Sequence, residues 1–456
     1  MVHNGLSMDS EATYQYNIAK FADYLKAGES SADGRLLGME LEHLVVDSGS
    51  LKTVSYYDWT DSDGSERPGV QRILERLVGT YGEGESVFDS DGNEHLVAIA
   101  HKGFPITVEP GAQIEVSIGA FESIEKIESA YSQFRAAINP IIEEFGYELL
   151  TYGYRLKGCA CQIPLLPKAR YQMMDAYFHS TGAHGACMMR GSASTQVSID
   201  YFSEADCMRK MRIASIIGPL LNMAMDNSPI FDGEPIGISG NDEKLTRSYL
   251  PVPKRMARNA IWDDVDADRS MVASFLFEGS PSYEGYAKML MSRPPILTDD
   301  PGEDGIKRTV FHEDASAAEI YENREMDAED IEHVLSMFFF DVRLKQGYVE
   351  IRMADSVPIE YALAFVALIK GIFYNVECLE WLDEQLAGLG LADIALAKER
   401  LTADGYDAEV YGKPAAQWLD ELVTRASSAL SSSDDAYLIP LAELIASRET
   451  LAQRNF

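Results

Sequence analysis

Four stretches of this chain alternate apolar and ionic side chains one for one: Gly38-Met-Glu40-Leu-Glu42-His-Leu, Glu109-Pro-Gly-Ala-Gln113-Ile-Glu115-Val-Ser117, Gln196-Val-Ser198-Ile-Asp200 and Tyr348-Val-Glu350-Ile-Arg352-Met. Successive strand side chains point to opposite faces, so residues two or four apart share a face. Any one stretch fits a half-solvated antiparallel strand. Four together, biased toward Glu, Gln, Asp and Arg rather than Lys or Thr, are a stronger constraint, because they allow the polar faces to converge. Glu40, Glu42, Glu109, Glu115 and Glu350 then form one cluster of carboxylates, with Gln196 beside them. Such a cluster repels itself and raises its own pKa values. About two or three divalent cations cancel its charge, and all-oxygen ligands select Mg2+, or Mn2+, over Zn2+.

The flanking pattern predicts an α+β chain. Residues 14–26 carry apolar positions at helical spacing, strands are expected over 36–46, 107–118, 194–201 and 347–353, and helices over 124–145, 204–225 and 328–340. Everything from about 359 reads as helix. Segments 58–69, 233–242 and 294–305, rich in Pro, Gly and acid, are expected as surface loops. A catalytic domain over 1–380 with a helical section, 381–456, packed on it is the expected organisation.

Composition narrows the function. With 73 Asp+Glu against 39 Lys+Arg, the net charge is −34. That argues against nucleic acid, which is bound by neutralising phosphates, and against adsorption to an anionic membrane. The apolar runs 213–225 and 361–374 are interrupted and shorter than the ~20 residues of a membrane span, and residues 1–10 lack a signal-peptide pattern. A cytoplasmic location is expected. Five cysteines are too few for a disulfide framework; Cys159-Ala-Cys161 reads as two small residues in a connection, with a thiol switch as the alternative. There is neither a G-x-x-x-x-G-K-[ST] loop nor an H-E-x-x-H pair, so P-loop and zinc chemistry are unsupported. Local basic groupings stand out against the acidic background: Lys254-Arg255 to Arg258, Trp262 and Arg269; Lys168 with Arg170; Arg343 with Lys345 and Arg352. Guanidinium pairs bidentately with carboxylate or phosphate, so these are candidate sites for anionic substrate groups.

In this order the segments resemble the glutamate–cysteine ligases of the plant and proteobacterial type, including the actinobacterial ligases of ergothioneine synthesis. Gly38-Met-Glu40-Leu-Glu42 is similar to their G-x-E-x-E strand, and Glu109-Pro-Gly-Ala-Gln113-Ile-Glu115 to E-P-G-G-Q-x-E. Pro167-Lys-Ala-Arg170-Tyr171 is similar to P-K-x-R-Y, and Met188-Met189 through Gln196-Val197 to a Met-Met to Gln-Val strand. Arg258 to Arg269 resembles R-x-x-x-W-x-x-x-D-x-x-R, and Arg343 to Asp355 resembles R-L-K-x-x-Y-x-E-x-R-x-A-D. The departures are Ala112 for a glycine, Ser198 for asparagine, Met353 for glycine, and Gly191 where the plant-type arginine falls, with Arg190 one place earlier.

The resemblance implies a glutamine-synthetase-like fold: a curved, mainly antiparallel sheet forming a funnel, with helices packed outside. It implies an ATP- and Mg2+-dependent ligase joining the γ-carboxylate of L-glutamate to the amine of L-cysteine through a γ-glutamyl phosphate, with only small-molecule partners. Glu40, Glu42, Glu109, Glu115 and Glu350 are then the metal ligands. Arg258, Arg352 and Glu350 are the expected catalytic residues, and Arg170, Gln196, Ser198, Trp262, Arg269, Arg343 and Tyr348 the expected substrate or ATP contacts. Two alternatives stay open: another amine acceptor, suggested by the departures, and a catalytically silent nucleotide- or amino-acid-binding protein. The oligomeric state and the pathway served are also open.

Overall fold

The strand that begins the alternation is the centre of the molecule. In the computed structural model, which describes residues 8–454 apart from 32–33, 62, 90–91, 232–233, 236–254 and 302–306, nine antiparallel strands form one sheet. They are β1 (Leu37–Asp47), β2 (Glu83–Phe88), β3 (Glu94–Ala100), β4 (Ile106–Val108), β5 (Ile114–Phe121), β6 (Tyr147–Leu150), β7 (Ser194–Ile199), β8 (Val342–Lys345) and β9 (Tyr348–Asp355). Their order is β8-β9-β7-β1-β5-β4-β3-β2, with β6 added to the far end of β1. Lys254 and most of the expected loop 233–242 lie outside the described residues.

β1 explains why the sheet has two unlike faces. Leu37, Met39 and Leu41 are fully buried on the back, whereas Gly38, Glu40 and Glu42 remain partly open on the front. From Leu44 onward the alternation stops and Leu44, Val45 and Val46 are all buried, because this end is covered on both sides. The back is covered by helices α2 (Ile124–Phe145), α5 (Glu204–Ala224) and α7 (Ile359–Phe373). Ser123 and Ser203 cap α2 and α5 by accepting from the amides of Lys126 and Asp206. α7 is apolar almost all round because it lies between the sheet and the outer helices Ala415–Ala429 and Ser432–Ser447. Among the described residues no single helix is long and apolar enough to cross a membrane. The remaining elements used below are α1 (Met8–Lys26), α3 (Ala169–Thr181), α4 (Gly185–Gly191) and α6 (Ala257–Asp263).

Several local expectations change. Segment 107–118 is two strands: a turn over 109–113 is closed by the Glu109 and Ala112 amides, which donate to Gln113 O and Glu109 O at 2.9 Å. Ala112 takes φ +69 there, the left-handed region that favours glycine. The helix expected to 340 ends at Ser336, where Phe338 and Phe340 turn into the core ahead of β8. Part of the expected loop 294–305 is a strand, Leu297–Pro301, paired with Lys307–Phe311. Met188 and Met189 sit on helix α4, not on a strand, so strand parity does not describe Arg190.

Candidate active site

Register builds the acidic floor. Glu42 lies directly opposite Glu115, and Glu115 opposite Thr107 on β4. Two residues along β1, Glu40 is flanked by Ser117 and Gln196; one step further, Gly38 faces Ser198, which faces Glu350, which faces Arg343. Like charges directly across a strand pair repel, so the Glu42–Glu115 pair is unfavourable unless something neutralises it. Glu109 reaches the same floor from the 109–113 turn. Gln113 holds that turn in place: its Oε1 accepts from the Gly111 amide at 2.9 Å and its Nε2 donates to Ser192 O at 2.7 Å.

Burial and mutual repulsion leave these carboxylates short of positive charge. Glu40 is pushed up to about 7 by burial and by Glu350, against the opposing pull of Arg352 and Arg343. Glu42 is pushed up to about 7 by burial and by Glu109, although the Ser194 amide and hydroxyl both donate to it at 2.8 Å. Glu115 is raised well above the ordinary range by burial and by Glu40, Glu109 and Glu42; Thr107 donates to it at 2.8 Å. This donor set, all oxygen and under-neutralised, is what a hard divalent cation fits. Among the described residues no three acidic, His or Cys side chains already surround one point, so an ion would have to draw the carboxylates together.

Above the floor lies a cavity of about 400 Å3 lined by Glu40, Glu42, Glu109 and Glu115 and by six basic side chains, Lys168, Arg170, Arg258, Arg343, Lys345 and Arg352. In a chain of −34, the lining of this cavity carries more cations than carboxylates. Arg258 on α6 is buried; its Nη1 donates to the carbonyls of Arg352 and Met353 at 3.3 Å and its guanidinium stacks 5.6 Å from the Trp262 ring. Arg258 Nε and Trp262 Nε1 are buried without a protein acceptor. Arg170, whose Nη2 donates to Ser336 O at 3.2 Å, also leaves Nε without one. Lys345 is pulled down to about 7 by burial and by Arg343. Met174, Met188, Met189, Trp262 and Phe339 supply the apolar wall.

A second cavity of about 340 Å3 continues along the same sheet face. Gly38, Ser117, Gly119, Ser198 and Tyr348 line it, and Glu40 is the residue it shares with the first. Around Gly38 and Gly119 the floor is bare backbone: a Cβ on Gly119 would lie 2.7 Å from Gly38 Cα.

Most of the expected site residues therefore come together, some in different surroundings from those anticipated. Arg170, Gln196, Trp262, Arg258, Arg343 and Arg352 line the first cavity, Ser198 and Tyr348 the second. Gln196 accepts a short hydrogen bond from Arg352 and donates to Ser194 Oγ at 3.2 Å. Glu350 is almost completely buried and lines neither cavity; Arg343 and Arg352 each approach its Oε2 to 2.7 Å. Burial opposes ionisation, but the two guanidiniums prevail and hold Glu350 at about 2. Arg269 is a correction: it is 1% exposed, pairs with Asp266 at 3.1 Å, donates to Pro294 O and stacks on Tyr177 and Phe338. It is a core group and lines neither cavity. Lys168 and Lys345, members of the basic groupings, join the lining of the first cavity. Gln113, Ser194 and Thr107 were not among the expected site residues; Ser194 was legible by parity, two residues from Gln196.

The departures from the resembled motifs also find their places. Gly191 abuts the Tyr154 ring, 2.5 Å from where a Cβ would stand, so an arginine does not fit there. Met353 is buried on the back of the sheet, facing Gly218. Neither lines the cavities.

A funnel face of converging carboxylates and guanidiniums on an antiparallel sheet defines the class, and comparison with known proteins narrows it. A crystal structure of a glutamate–cysteine ligase from Francisella tularensis in complex with AMP superposes with TM-score 0.53, covering 93% of this chain and 84% of that one at 13% identity, a likeness of fold. A glutamate–cysteine ligase of Medicago truncatula chloroplasts is 25% identical over 437 residues, 95% of this chain and 80% of the relative. The corresponding Arabidopsis thaliana enzyme is 25% identical over 384 residues, 84% and 67%. The family model for glutamate–cysteine ligase family 2 matches residues 36–454, and the chain belongs to that family of ligases.

Proposed function

We propose that the protein joins the γ-carboxylate of L-glutamate to the amine of L-cysteine at the expense of ATP. The observation that carries this reading is the meeting, in one cavity, of four glutamates, of which Glu40, Glu42 and Glu115 are held above the ordinary carboxylate range, and six basic side chains. A carboxylate is a poor acyl donor because oxide would have to leave; phosphorylation replaces it with a good leaving group. Bringing a triphosphate and a carboxylate together is mainly a problem of charge and alignment. Arg258 and Arg352 would orient the glutamate carboxylates, Arg343, Arg170, Lys168 and Lys345 the phosphates, and the Met–Trp–Phe wall the acceptor side chain. Glu40, Glu42, Glu109 and Glu115 would hold Mg2+ or Mn2+, which supplies the positive charge that screens the phosphates. Glu350, rather than ligating metal, would keep Arg343 and Arg352 charged and in place. The second cavity, neutral apart from Glu40 and the edge carboxylate Asp200 and floored by small residues, suits the nucleoside. Its Ser198 would then touch nucleotide rather than acceptor.

The reading is tested by ADP release with ATP, Mg2+, glutamate and a panel of amines. Release that depends on both glutamate and cysteine is expected. Turnover with a different amine and none with cysteine would overturn the acceptor assignment, and no ADP release with any amine would overturn the ligase.

A further inference from the structure

Arg258 and Trp262 stand on a helix of only seven residues, α6, and that helix is gripped by helix Leu391–Asp404, which lines neither cavity. Three contacts join the two. Arg255, just before α6, donates through Nη1 to Ala403 O at 3.0 Å. Met256, at φ +57 at the head of α6, brings its sulfur to 4.0 Å from Thr402 Oγ1. Asp263, the last residue of α6, pairs through Oδ1 with the Lys398 ammonium at 2.7 Å, while its Oδ2 accepts from Asn259 one turn back at 2.8 Å. Lys398 is 7% exposed and has a second carboxylate, Asp341, at 2.9 Å. Burial opposes its charge, but Asp341 and Asp263 outweigh burial and hold the ammonium above the usual lysine range. Asp341 stands just ahead of β8, and its backbone carbonyl accepts from the Arg352 amide at 2.9 Å. One ammonium therefore bears on the carriers of two cavity guanidiniums, through Asp263 on the helix of Arg258 and through Asp341 on the strand of Arg352. Helix Leu391–Asp404 itself packs on α5, against the back of the sheet, so the grip is anchored in the core.

We propose that Lys398 is a positioning residue for substrate binding: with Asp263 and Asp341 it sets the spacing of Arg258 and Arg352, the two guanidiniums that receive the glutamate carboxylates. The role in binding rests on the ligase reading; the link from Lys398 to α6 and β9 does not. Lys398 touches no substrate and acts only through its two partners. Burial pushes the Asp263 carboxyl up, Lys398 pulls it back, and Asp341 pushes the same way as burial. Without the ammonium the two carboxylates repel across a poorly solvated space, which drives α6 and the start of β8 apart. With it, both must stay within hydrogen-bond reach of one nitrogen, a link of nearly fixed length. Arg258 Nη1 closes the loop on the carbonyls of Arg352 and Met353, so a shift of α6 is a shift of one guanidinium relative to the other. A misplacement of ~1 Å in such a clamp costs up to about 100-fold.

The test compares full-length wild type, Lys398→Met and Leu422→Ala. Leu422, on helix Ala415–Ala429, is fully buried and outside the triad, so its loss is purely structural. Hydrogen–deuterium exchange is followed at Ala260, whose amide donates to Met256 O at 3.1 Å, and at Arg352, with the amides of β1 as internal reference. Lys398→Met should speed exchange at both sites about tenfold relative to β1, and Leu422→Ala should leave that ratio unchanged. In ADP release, Lys398→Met should raise KM for glutamate about tenfold with kcat within about threefold, and Leu422→Ala should change neither. Should Lys398→Met not fold, Lys398→Met/Asp263→Asn/Asp341→Asn, which removes the three charges together, takes its place with the same expectations. Unchanged exchange at Ala260 and Arg352 would overturn the link, and an unchanged KM for glutamate in a protein that releases ADP would overturn the positioning role. Absence of ADP release from wild type would count against the ligase reading alone, and the exchange ratios would still decide the link.

Discussion

Glu40 and Glu42 make the stability of the metal-free protein depend on pH in an unusual direction. Each carboxyl is raised from 4.5 to about 7 by burial and neighbouring carboxylates, so between those values the folded state holds protons that the unfolded chain releases. Stability is then full below about pH 4.5 and falls as pH rises through 7, the reverse of a carboxylate held by a salt bridge. At 1.36 kcal/mol per pH unit, the rise costs about 3 kcal/mol for each group. Both line a water-accessible cavity, which screens them, so about half of that, roughly 3 kcal/mol for the two together, is the expected loss. Mg2+ should return it, because an ion on the carboxylates displaces their protons and neutralises their repulsion. The measurement is urea denaturation near pH 5 and near pH 8, in EDTA or in Mg2+, for wild type and Glu40→Gln/Glu42→Gln. Taking the difference between the two proteins removes the contribution of every other titrating group. In EDTA, wild type should lose stability relative to the double variant across this range, and the variant should barely respond to Mg2+. A wild-type curve parallel to that of the variant, or a variant that keeps the full Mg2+ response, would refute the reasoning.

Other substitutions separate roles within the site. Glu350→Gln leaves Arg343 and Arg352 buried without their counter-charge, so ADP release should drop at least 100-fold and stability by about 3–5 kcal/mol, read by coupled assay and urea melts. Arg269→Ala should cost about 2–4 kcal/mol in stability through lost pairing and packing, while KM for glutamate and ATP in the folded protein stays within about twofold; a large KM effect would restore Arg269 to the substrate site. Arg258→Lys keeps the charge but loses the planar fork, and should raise KM for glutamate about 100-fold.

What could be read from the sequence was what a single strand encodes. β1, β7 and β9 alternate polar and apolar side chains, so Glu40, Glu42, Gln196, Ser198 and Glu350 declare a common side by parity, although Gln196 and Glu350 are themselves buried there. The turn at 109–113 was signalled by Pro110-Gly111 as a bend but not as a strand break, because its left-handed position is Ala112, which carries no glycine signal. Strand β2, with Glu83-Gly84-Glu85 at a solvent-exposed sheet edge, has little of the composition of a strand and was not anticipated. Arg269 and Arg258 share one motif, yet one faces the core and the other the cavity, a distinction set by what packs around α6 rather than by spacing. The balance between Glu350 and its two arginines is a property of three side chains meeting across β8 and β9, and no one-dimensional pattern reports it.

The two cavities are laid end to end along β1, from Gly38 to Glu42, a run of about 13 Å at strand rise, and Glu40 is where they join. A ligand spanning both must lay its charged middle over that one carboxylate. A nucleoside in the second cavity and an amino acid in the first then do not compete for space, and the phosphates between them pass over Glu40. Nucleotide and amino acid should each tighten the binding of the other, in equal measure, and a neutral side chain at position 40 should sever that reciprocity while leaving both pockets intact.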